Sequence, residues 1–177
     1  MKKVIALLLA AAMMLTLAAC GGEETTSTQN DTSSPVSAEG KTAADSGKFA
    51  VGGQILTAGM VLTEDVLNAL GTANDIQVAQ SCHYDGEDTI YVYDNFSLYT
   101  YADGEDAVLY LIELNGEGAK TEAGLSVGMN EAEATALYGT DYTERGQAKK
   151  YKLTDDIDLS ITFRDGTVSL IEYEAAE

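Results

Sequence analysis

The chain has little of what most catalytic and metal sites are made from. Its 177 residues include one histidine, two cysteines, one proline and no tryptophan, and only ten basic residues stand against 29 acidic ones. With a single histidine, His83, any Ser-His-Asp or Cys-His mechanism must run through that residue. Its neighbour Cys82 cannot be its partner if both lie in a strand, because adjacent side chains point to opposite faces. Zinc prefers several Cys or His ligands, and one of each side by side falls short. The glycine-rich stretches match neither Walker nor dinucleotide spacing. No acidic cluster has EF-hand spacing, although two acidic loops together leave open a loose calcium site. The expectation is a non-enzyme with no cofactor and no metal.

The shortage of positive charge is concentrated after residue 20. All 29 acids follow Cys20, and two of the ten basic residues, Lys2 and Lys3, precede it, so the remainder carries 8 basic against 29 acidic residues, a net −21. A field of that sign excludes nucleic acid as a partner and repels anionic headgroups. Long apolar runs are also scarce. The only one, from Val4 to Leu17 with Thr16 as its single polar member, is shorter than the ~20 residues of a spanning helix and ends in small residues rather than a basic cluster. Lys2 and Lys3, the apolar run and Leu17-Ala18-Ala19-Cys20 follow the order of a secretory signal. The last four residues resemble the lipobox of bacterial lipoproteins. That resemblance implies a signal peptide over 1–19, lipidation of Cys20, and an extracytoplasmic protein anchored to the cell membrane by lipid.

Lipidation consumes one of the two cysteines, so Cys82 has no intramolecular partner and the fold must stand without a disulfide. Burial as a small apolar side chain is the commoner fate of an unpaired cysteine, a free thiol the other. From residue 20 to 47 the chain is mostly Ser, Thr, Glu, Ala and Gly with Pro35 and, apart from Val36, no aromatic or long aliphatic residue, a composition that cannot offset its ordering entropy. It reads as a flexible linker reaching roughly 30 Å. Residues 48–177 are the size of one domain.

Within that domain Leu56-Thr57-Ala58-Gly59-Met60 is echoed by Leu125-Ser126-Val127-Gly128-Met129. Each copy leads into a short helix-forming stretch, 63–70 and 131–138, ended by Gly71 and Gly139. Thr63 and Asn130 are candidate N-caps, Glu133 completes a capping box, and the glycines suit a C-terminal position of positive φ. Strand patterns follow near 76–84, 89–93, 96–101 and 108–114, then near 147–153, 157–163 and 167–173. Asp103-Gly104 and Asp165-Gly166 mark hairpins, and they lead to Leu111-Ile112-Glu113 and Leu170-Ile171-Glu172. Ile157, Leu159, Ile161 and Phe163 alternate with polar residues, giving one buried face and one wet face. The expected class is α+β: two tandem repeats, about 55–115 and 124–174, each a short helix followed by an antiparallel β-meander, with the helices on one face of the sheet.

This arrangement resembles the β-lactamase-inhibitor-protein-like (BLIP-like) fold and the small outer-membrane-assembly lipoproteins that carry one such unit. It is also similar to lipoproteins of Gram-positive gut bacteria in which a stretch like Ser81-Cys82-His83-Tyr84 precedes a strand like Tyr91-Val92-Tyr93. The resemblance implies binding across the open face of a sheet. No inhibitory loop residues match, so inhibition of β-lactamase is not implied.

The acidic groups Asp85, Glu87 and Asp88, Asp103, Glu105 and Asp106, and Asp155, Asp156 and Asp158 fall at expected turns, where Asp bonds its own backbone. Tyrosine is the more informative residue. If Asp94 and Asn95 form a two-residue turn, Tyr91, Tyr93, Phe96 and Leu98 share one face, and Ile90, Val92, Tyr99 and Tyr101 the other. Tyr91, Tyr93, Tyr99, Tyr101 and Tyr110 are therefore the candidate binding surface, since tyrosine combines contact area with a polar tip. The functional expectation is a binding or scaffold lipoprotein that holds an extracytoplasmic protein, peptide or wall component. The alternatives are a small surface hydrolase using paired carboxylates and an inhibitor of an extracellular enzyme.

Overall fold

The computed structural model describes residues 45–82 and 85–176. The expected signal peptide, Cys20, most of the linker, and His83 and Tyr84 lie outside the described residues.

The short helices have the caps their sequences call for. In α1 (Glu64–Leu70) the Thr63 side chain accepts from the Val66 N–H, and Gly71 follows at φ +87. In α2 (Glu131–Tyr138) Asn130 and Glu133 form a complete capping box, and Gly139 follows at φ +77. The strands are β1 (Phe49–Val51) and β2 (Gln54–Leu56), β3 (Asp75–Gln80), β4 (Glu87–Val92), β5 (Phe96–Asp103) and β6 (Asp106–Leu114), then β7 (Thr143–Arg145), β8 (Ala148–Lys152), β9 (Ile157–Arg164) and β10 (Thr167–Ala175). β1 and β2 form a small hairpin. The other eight form one antiparallel sheet in the order β3-β4-β5-β6-β10-β9-β8-β7. Its turns use the residues that suit them: Asp165 and Gly166 both take positive φ, 52° and 75°, between Arg164 and Thr167.

The class is therefore mainly β, which corrects the expected α+β architecture of tandem helix-and-meander repeats. An eight-residue helix is about 12 Å long, whereas eight strands spaced ~4.8 Å apart span more than 30 Å. Helices this short cannot cover such a sheet. α1 buries no residue and α2 buries only Ala134 and Tyr138. The rest of the cover comes from β1–β2 and from loops, through Phe49, Leu56, Ala58, Leu62, Ala119 and Leu125. These meet Leu98, Leu109, Ile112, Leu114, Leu159, Ile161, Ile171 and Tyr173 from one face of the sheet. Phe49 packs edge-on to Phe96 at 5.3 Å. Each buried Leu, Ile or Phe among these contributes ~1.5–3 kcal/mol.

The echoed Leu-x-x-Gly-Met segments make the same bonds at two places. Leu56 and Leu125 are fully buried. Thr57 N–H donates to Met60 Sδ (3.4 Å) and Ser126 N–H to Met129 Sδ (3.3 Å). Gly59 N–H donates to the Leu109 carbonyl and Gly128 N–H to that of Val168, while Leu109 and Val168 return bonds to Met60 and Met129. Each segment thus takes the first part of β6 or β10 as a partner. What remains, residues 111–114 and 171–174, pairs across the middle of the sheet.

The body also holds residues that composition places in the linker. Asp45 is buried and accepts from the hydroxyls of Tyr138 (2.5 Å) and Tyr173 (2.9 Å) and from Gly47 N–H (3.0 Å). Thr121 donates to the Tyr138 oxygen (2.7 Å) and Glu122 N–H to the Tyr173 oxygen (3.3 Å), while Ser46 donates twice to the Glu122 carboxylate. Burial first, with Asp45 adding to it, pushes both phenols far above their ordinary range. Gly47 follows at φ +76, where a Cβ would lie 2.6 Å from Ile157.

Removing the Asp45 carboxylate strands two buried hydroxyl donors, at ~1–3 kcal/mol each. Asp45→Ala is expected to lower the unfolding free energy by about 3 kcal/mol in urea titration. Asp45→Asn, which keeps one acceptor oxygen, should lose about half as much.

Candidate binding face

Strand alternation divides the five candidate tyrosines. Tyr91 pairs with Leu98 on the core face, and Tyr93 stacks on Phe96 at 4.5 Å, so both pack against the core. Tyr99 and Tyr101 pair with Ile90 and Asp88 on the opposite face, where they are half-buried. Strict alternation would put Tyr110 beside Ile112 and Leu114 on the core face. It joins the other two because the β5–β6 register shifts between Tyr99 and Thr100, which leaves Tyr110 as the extra residue of a bulge. Its ring centroid lies 6.2 Å from that of Tyr99, edge-on, and 6.2 Å from that of Tyr101. The surface that remains is Tyr99, Tyr101 and Tyr110 with Ile90 and Leu111.

Next to these rings the same face becomes ionic. One cross-strand row runs Ser97, Glu113, Glu172, Ser160, Lys150 through β5, β6, β10, β9 and β8. The next runs Tyr99, Leu111, Glu174, Asp158, Lys152. Lys150 Nζ lies 2.7 Å from Glu174 and 3.1 Å from Asp158. Glu113 accepts from the Tyr99 hydroxyl (3.0 Å) and from Asn115 (3.1 Å). Burial, and then Glu113, push the Tyr99 phenol up to about 12. Glu172 faces Glu113 directly, and like charges so placed repel. Burial first, then Glu174 and Glu113, raise the Glu172 carboxyl to about 7, with Lys150 acting in the other direction.

Sequence reasoning marked Leu111-Ile112-Glu113 and Leu170-Ile171-Glu172 as echoes without placing their glutamates together. The repeated triplet was the available signal. Asp45 had none, being one more small polar residue in a polar stretch. Cys82 is an exposed free thiol, the less common of the two fates open to it. Asp103 and Asp106 pair at the β5–β6 turn, and Asp155 and Asp156 precede β9. Glu87, Asp88 and Asp158 stand instead within strands, where Asp88 Oδ1 is buried without a hydrogen-bond partner. Among the described residues no group of three His, Cys, Asp or Glu could hold a metal ion. A cavity of about 490 Å³ is lined by residues that include Glu131, Glu144, Lys149, Phe163 and Arg164. Lys149 there is paired with Glu131 at 2.5 Å and lies over the Tyr142 ring at 4.5 Å.

No family model, curated protein or solved structure matches the chain. No helix among the described residues is long and apolar enough to cross a membrane.

The pH dependence of stability follows from Glu172. Its native carboxyl titrates near 7 against an ordinary 4.5, so between those values the native state holds a proton that the unfolded chain has released. Stability present below pH 4.5 is lost as pH rises through 7. Glu172→Gln is expected to leave Tm unchanged near pH 4 and to raise it by roughly 2–5 °C at pH 8, the effect of about 1 kcal/mol after solvent screening. Thermal unfolding at both pH values checks this.

Proposed function

We propose that the protein is a lipid-anchored extracytoplasmic binding module, tethered through Cys20 and engaging its partner with the face of the sheet opposite the core. The observation that carries this reading is the group of three half-buried tyrosines, Tyr99, Tyr101 and Tyr110, on a sheet face away from the core cluster. Such rings offer large contact area at low entropic cost, with a hydroxyl for specificity. The non-catalytic reading is preferred to a carboxylate hydrolase because Glu113 and Glu172 stand on a sheet face outside the 490 Å³ cavity, and of the acids that line it Glu131 is held in an ion pair by Lys149. A hydrolase needs its two carboxyls to converge on an enclosed substrate.

Two measurements test the reading. Mass spectrometry of the protein from its native membrane is expected to give an N-terminus at Cys20 carrying a thioether-linked diacylglyceryl group, and an unmodified cysteine overturns the anchor. Capture from the cell envelope is expected to fall at least tenfold when Tyr99 and Tyr101 are both changed to serine. Equal capture by the two forms removes this face from the function.

A further inference from the structure

The acid pair Glu113 and Glu172 stands at the centre of the sheet. Among the described residues neither Glu113 nor Glu172 has an ion-pair partner. The charged and polar groups around Glu172 are Glu113 from β6, Glu174 from its own strand, Ser160 and Asp158 from β9, and Lys150 from β8. The one cation, Lys150, is already engaged by Glu174 and Asp158. Beyond Glu113 stands Tyr99, its hydroxyl on the Glu113 carboxylate and its ring against Tyr110. The face therefore sets two opposed carboxylates beside aromatic rings, in a chain of formal charge −19.

That combination is complementary to a guanidinium. Directly opposed side chains on an antiparallel pair have Cβ atoms about 5 Å apart, a separation that a planar five-donor group can bridge. Arginine also lies favourably over aromatic rings and sheds its water more readily than an ammonium does. We infer that the open face receives a basic polypeptide segment, an arginine of which bridges Glu113 and Glu172 while its stem lies against Tyr99 and Tyr110. This names the partner class for the open-face reading above and rests on it. Binding makes Glu172 give up the proton that it holds part of the time at neutral pH, and that proton passes to the buffer.

The test is calorimetric titration of the full chain, in non-ionic detergent at 150 mM salt, with a tetra-arginine peptide. Glu113→Gln with Glu172→Gln is expected to weaken binding at least tenfold. Asp103→Asn with Glu105→Gln, which removes the same charge at the β5–β6 turn, should weaken it less than twofold. At pH 7 the heat should vary with the buffer's ionisation enthalpy, and Glu172→Gln should abolish that variation. Tetra-lysine is expected to bind several-fold more weakly. Circular dichroism checks that both double variants fold, as removal of surface repulsion predicts. Equal weakening by the two double variants reduces the effect to bulk charge and overturns the inference, as does absence of tetra-arginine binding. If tetra-arginine fails while envelope capture still depends on Tyr99 and Tyr101, the open-face function stands and only the basic partner falls. If both fail, so does the face.

Discussion

The sheet is one body because of a short antiparallel contact between residues 111–114 of β6 and 171–174 of β10. On either side of it the strands follow in sequence order, joined by local turns. The glycine-methionine segments before α1 and α2 occupy the remaining parts of β6 and β10, so only these four-residue stretches are left to meet. Their register is set by burial. Ile112 lies opposite Tyr173, and Leu114 opposite Ile171, and all four side chains are sealed in the core. A slip of one residue would move all of them to the wet face. Because side chains alternate with period two, the same register brings Glu113 to face Glu172. The acid pair is a consequence of burying its neighbours, and its repulsion is a cost carried by the core.

Without a disulfide, closure of the core face depends on packing and on one polar clasp. The helices cover little of the sheet, and β1–β2 and the loops supply most of the cover. Asp45 ties the incoming chain to Tyr138 of α2 and Tyr173 of β10, which links the start of the body to its last helix and last strand. Buried hydroxyls without acceptors are costly, so this one carboxylate satisfies groups that packing alone would leave stranded. The opposite face is free of that burden. Its tyrosines and its facing carboxylates can coexist there because they are only half-buried, which lowers the cost of each.

Much of the local structure was legible in the residues. Thr63, Asn130 and Glu133 cap the helices as their side-chain chemistry requires, and Gly71 and Gly139 end them. The Asp94-Asn95 turn divides β4 and β5 into the faces expected, with Tyr91 inward and Tyr99 outward. The face of Tyr110 was not legible, since it reaches Tyr99 only through a register shift that alternation alone does not supply. Three short strands, β1, β2 and β7, are too brief to display a period.

The sequence by itself determined caps, turns and alternation, because these depend on residues within a few positions of one another. It also determined the strongly acidic balance of the chain. Tertiary structure alone decided that the class is mainly β, that Asp45 is buried, that Cys82 is exposed and that Glu113 meets Glu172. Each of these depends on which distant strands pair and in what register. That choice is made by burying apolar area over the whole sheet, a quantity no local pattern contains.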